Sequence, residues 1–131
     1  MKLNEDMLPS NLDEAVLLLV AALEPDEMEE AMRSAMNKFD GEHHFLGRAL
    51  RNKWNFWEDS PIVRWFIATH RICHADDISG IVLEAFAAKL NGEPYDPAPT
   101  VEKYHKHWRE TANMTPEQMI AEWKESKNNP A

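Results

Sequence analysis

Cys73 is the only cysteine in this 131-residue chain. No intrachain disulfide can form, and a reducing cytosol is the expected setting. Four glycines stand against eight prolines, a balance that suits helices punctuated by stops. The longest apolar run, Ala15 to Leu23, is nine residues, under half of what a bilayer crossing requires. The opening MKLNEDMLPS lacks the apolar centre of a signal peptide, so a soluble intracellular protein with no membrane partner is expected. Basic charge is also scarce. With 14 Lys and Arg against 23 Asp and Glu, the formal charge is −9, which argues against nucleic acid as partner because duplex affinity rests on clustered cations.

What is present describes a folded globule. Hydrophobic residues make up 44% of the chain and there are five tryptophans, too many for a disordered acidic polymer. The length suits one domain able to build a core without disulfides or metal. Charge is uneven along it. Residues 1–40 carry 10 acidic and 3 basic side chains, whereas 41–71 carry 3 acidic and 5 basic.

Helix signals recur and no segment alternates at period two. The expected fold is all-α: a compact bundle of about five helices over residues 1–92, a Pro-rich linker over 93–100, and a helical hairpin over 101–131 with a frayed tail. Asn11, with Glu14 as capping-box partner, starts a first helix over about 12–23. Because this helix is apolar almost all round, it is expected to be the buried central one. Pro25 opens an acidic second helix with an apolar stripe from Met28 to Phe39. Asp40 is the expected cap of a third helix over about 42–54, and Ser60-Pro61 opens a fourth reaching about His70. Asp76 or Asp77 is expected to cap the fifth, which presents Ile78, Ile81, Val82, Ala85, Phe86 and Leu90 to the core and stops at Gly92. Thr100 should cap the sixth, and Thr115-Pro116-Glu117-Gln118 starts the last.

The run HHFLGRALRNKWNFW, followed by CHADDISGIVL, stands apart from this background. His43, Gly47, Arg51 and Trp54 fall at i, i+4, i+8 and i+11, one stripe of one helix. His74, Asp76 and Asp77 crowd the start of the fifth. Together with Leu8-Pro9, Leu12, Ala15, Leu46, Asn52, Trp57, Ser60, Phe66, Ser79 and the Ile81-Val82-Leu83 run ending at Leu90-Asn91-Gly92, these residues make the chain resemble an uncharacterised domain family of bacteria and their phages, known only as a domain of unknown function. The resemblance covers about two thirds of the chain. It departs at Asn55 and Ala75, where the family usually has glycine and proline. It implies the fold and draws attention to the polar residues, but it supplies no activity.

The candidate binding cluster is therefore His43, Arg51, Asn52, His74, Asp76 and Asp77. Arg51 suits either an anion, through its planar fork, or a buried internal strut to Asp76 or Asp77, the commoner arrangement. Gly47 costs ~1 kcal/mol in a helix relative to Ala, and close approach of a backbone or of Trp57 would compensate. His70, Cys73 and His74 invite a metal reading, but there is no second pair with zinc spacing, and no metal or cofactor is expected. His105 and His107 lie on different helix faces. Trp54, Trp57 and Trp65 are expected in the core. Trp108 and Trp123, on the hairpin, are the interface candidates, either docking it or facing a partner.

No elbow serine, phosphate loop or H-E-x-x-H string is present, and no catalytic residues are named. The expected function is an acidic binding or regulatory module that works through protein–protein contacts, in phage–host conflict or bacterial regulation, with a homo-oligomer open. The alternative is a small-ligand binder or enzyme that uses the six-residue cluster around an open cleft.

Overall fold

The computed structural model describes residues 3, 7–36 and 43–128, and their side chains apart from 31–36, 43–45 and 128. Among the described residues the chain is all-helical, with seven helices and no strand: α1 (Leu12–Ala22), α2 (Pro25–Met36), α3 (His43–Lys53), α4 (Pro61–His70), α5 (Ala75–Leu90), α6 (Ala98–Ala112) and α7 (Pro116–Asn128). The expected cap Asp40, the α2 stripe from Ala31 to Phe39 and the side chain of His43 lie outside the described residues.

Local chemistry sets most helix starts. Asn11 Oδ1 accepts the Glu14 N–H at 2.8 Å, while the Glu14 carboxylate reaches back to the N–H of Ser10, one residue beyond the expected capping-box partner. Thr115 and Gln118 exchange reciprocal hydrogen bonds of 2.8 and 3.1 Å at the start of α7, a complete capping box. Ser60 takes the N-cap position of α4 with proline behind it, but its side chain makes no capping bond.

Two expected caps are corrected. α5 is capped by His74, whose Nδ1 accepts the Asp76 N–H at 3.1 Å. Asp76 and Asp77 sit inside the first turn instead, where the helix dipole favours negative charge. α6 begins at Ala98, not at Thr100: Asp96 Oδ1 accepts the Ala98 N–H, and Thr100 donates to Glu84.

The central helix is α5, not α1. From Ala75 to Ala88 nearly every α5 side chain is buried, including Asp77 and Ser79, and α1, α2, α3, α4 and α6 all pack against it. α1 buries Leu12, Ala15, Val16 and Leu19 but leaves Leu17 59% exposed. Its all-round apolar composition thus reflects one face on the core and one on the surface.

The last two helices dock on this bundle. Val101 and Ile120 join the core. Arg71 grips Glu117 through two hydrogen bonds of 2.9 and 2.5 Å. Gly80 is the point of closest approach: a Cβ there would stand 2.1 Å from the Tyr104 hydroxyl, so only glycine admits that ring against α5.

Candidate functional site

The chain leaves α3 through a left-handed residue. Asn55 has φ 56°, and the N–H of Phe56 bonds to the carbonyl of Arg51 at 3.0 Å, a Schellman-type closure. Asparagine tolerates this conformation better than other non-glycine residues, and Asn55 is where the resemblance implies glycine. The turn sends successive aromatics to opposite sides. Trp54 and Phe56 are buried against each other, whereas Trp57 emerges 51% exposed. The expectation of Trp57 in the core is corrected; Trp65 is partly buried.

Trp57 faces the start of α5. Its ring meets the His74 imidazole edge-on at a centroid distance of 5.7 Å, and His74 in turn lies 5.1 Å from Trp108 of α6. Capping fixes the imidazole: with Nδ1 accepting the Asp76 N–H, the neutral ring carries its proton on Nε2. Behind the rings, Trp108 Nε1 donates to Asp77 Oδ2 at 2.7 Å. Burial raises the Asp77 carboxyl above its ordinary value, against the opposing effect of the Trp108 hydrogen bond.

These rings wall a groove of about 440 Å³ whose other side is Met114, Met119 and Trp123, with Glu122 and Lys127 also lining it. The Lys127 ammonium donates to the Trp57 carbonyl at 2.6 Å and stands 5.9 Å from the centre of the Trp123 ring. A second cavity, of about 690 Å³, lies between α1, Trp65, His70 and the segment before α6. There burial lowers the His70 imidazole below its ordinary value.

Among the described side chains, the candidate cluster (Arg51, Asn52, His74, Asp76 and Asp77) does not converge on either cavity. Arg51 Nη1 donates to Ser79 Oγ at 2.9 Å, Ser79 donates to the Asp76 carbonyl, and Arg51 Nε stands 3.5 Å from Asp76 Oδ1. This strut joins α3 to α5, but it is not a buried pair: the Arg51 side chain is 16% exposed and that of Asp76 61%. Gly47 makes room for it. A Cβ at 47 would lie 2.9 Å from Arg51 Nη1, so the glycine accommodates the guanidinium rather than Trp57. Asp77 turns away toward Trp108, Asn52 is exposed, and of the five cluster members whose side chains are described only His74 lines the groove. Both interface candidates, Trp108 and Trp123, do line it.

The metal-reading residues also diverge. His70 packs against Trp65 and Phe66, and His74 is spent on its cap. Burial, with the nearby Asp77 charge, pushes the Cys73 thiol up to about 11, which makes it a poor source of thiolate. Among the described residues no group of three or more His, Cys, Asp or Glu side chains is placed to hold a metal. None of the described helices is long and apolar enough to cross a membrane.

A family model described as a domain of unknown function (DUF6794) matches residues 8–90. The chain belongs to this family. No curated protein and no solved structure gives a significant match. The matched segment supplies Phe56, Trp57, Cys73 and His74 to the groove, while Trp108, Met114, Met119, Trp123 and Lys127 come from the hairpin beyond it. The groove is therefore composite, closed by α6 and α7 over the family domain.

Proposed function

We propose that this chain is a cytoplasmic binding module that acts through protein–protein contacts, with the groove between Trp57 and the α6–α7 hairpin as its contact face. The observation that carries this reading is Trp57, a large aromatic held half exposed by a left-handed turn, at the mouth of a groove lined by two more tryptophans and two methionines. Tryptophans in partly enclosed sites dominate binding energy at interfaces, and methionines adapt to varied partners. The small-ligand or enzyme alternative called for the polar cluster to surround an open cleft. Arg51 and Asp76 instead engage each other and Ser79, and Asp77 engages Trp108. The setting in bacterial regulation or phage–host conflict rests on the family resemblance.

The test is capture from the native host. The wild-type protein and Trp57→Ala, matched for melting temperature, are immobilised and exposed to lysate. A partner held by the wild type and weakened about 30-fold or more by the substitution, the scale of an interface hot spot, supports the module. Identical captured proteins on both resins contradict it.

A further inference from the structure

Resting on that reading, we infer that the groove receives a cationic side chain, the guanidinium or ammonium of a basic segment of the partner protein, in the place now filled by Lys127. The site already holds one cation. The Lys127 ammonium is fixed between the Trp57 carbonyl, which accepts its hydrogen bond at 2.6 Å, and the Trp123 ring at 5.9 Å. An aromatic face attracts a cation through its quadrupole, and the attraction grows as water is excluded. A carbonyl aimed at the same position adds a directed acceptor that a purely apolar occupant would leave unpaired.

Charge favours the same occupant. Glu122 lines the groove, Asp77 lies behind Trp108, and the chain as a whole carries −9. That field steers basic partners toward the surface and repels acidic ones. Lys127 is also a replaceable occupant, since it lies one residue from the end of α7, where helices fray. Lys127 thus acts as an internal competitor: it covers the groove in the free protein and yields to a partner's cation.

The test uses the full chain at physiological salt and follows the five indole N–H signals by NMR. The probe is the capped peptide Gly-Ala-Arg-Ala-Gly, with counterparts carrying citrulline or norleucine in place of arginine. The arginine peptide is expected to move the Trp57, Trp108 and Trp123 signals while leaving Trp54 unmoved, and to bind at least ten times more tightly than either counterpart. Lys127→Ala should tighten it threefold or more, and Lys127→Met, which keeps the apolar stem, should do the same if the alanine variant disturbs α7. Equal binding of the norleucine peptide would overturn the proposal in favour of an apolar occupant. No movement of these indoles in either folded Lys127 variant would overturn it outright. If the peptide fails while partner capture still depends on Trp57, the cationic occupant falls and the protein-binding reading stands.

Discussion

The indole of Trp108 donates to the Asp77 carboxylate at 2.7 Å, tying α6 to the first turn of the helix at the centre of the fold. Asp77 is 6% exposed, so its charge is kept in a poorly solvated place by one indole N–H and the dipole of α5. The same bond holds the Trp108 ring against His74 and so fixes one wall of the groove.

The Asp77 carboxyl titrates above its unfolded value because burial disfavours the charge. The folded state therefore binds a proton more tightly than the unfolded chain, and the charged form costs stability above the folded pKa. This cost is relieved as the pH falls through that pKa toward the unfolded value. Asp77→Asn, which keeps an oxygen acceptor for Trp108, should match or exceed the wild-type melting temperature at pH 7, and the difference should shrink as the pH falls through the raised folded pKa toward the ordinary carboxylate value. Thermal denaturation across pH checks this. A variant advantage that grows as the pH falls would contradict it.

The Arg51 strut is worth less than a buried ion pair, because Asp76 is mostly solvated. The charged hydrogen bond to Ser79 carries most of its value. Arg51→Ala should cost about 1–2 kcal/mol, and Asp76→Asn at most about 0.5 kcal/mol. Chemical denaturation of both variants reads these values; equal losses would mean that the ion pair, not the Ser79 contact, sets the energetics.

Gly80→Ala sets two effects against each other. Alanine gains about 1 kcal/mol of helix propensity, but its Cβ would collide with the Tyr104 hydroxyl at 2.1 Å. Overpacking of this kind costs about 1–3 kcal/mol, so net destabilisation is expected. Tyr104→Phe in the same background should recover part of it, a coupling measurable by a double-mutant cycle. A Gly80→Ala protein more stable than wild type would show that the ring shifts freely.

Much of this architecture was legible in the sequence where its cause is local. The Thr115–Gln118 box spans four residues, and Pro25 and Pro61 mark helix starts by their fixed φ. What was not legible depends on partners far along the chain. Ser79 and Asp77 are polar residues inside the central helix, tolerated because Arg51 and Trp108 reach them from 28 and 31 positions away. Without those partners the polar positions make α5 look half solvated and the all-apolar α1 look central. His74 was missed as a cap because an imidazole acceptor is an uncommon substitute for Asp or Asn. Trp57 was misplaced because its exposure depends on the left-handed turn at Asn55, a conformation the side chain permits but does not dictate.

The central claim, that the groove at Trp57 is the surface a protein partner touches, is tested most directly by photocrosslinking. Benzoylphenylalanine replaces Trp57 in one protein and Arg64, an exposed residue of α4 outside the groove, in another; each is irradiated in native-host lysate. A single adduct from position 57, suppressed by excess unlabelled wild-type protein and missing from position 64, is the predicted result. No adduct from position 57, or the same adduct from both positions, would contradict it.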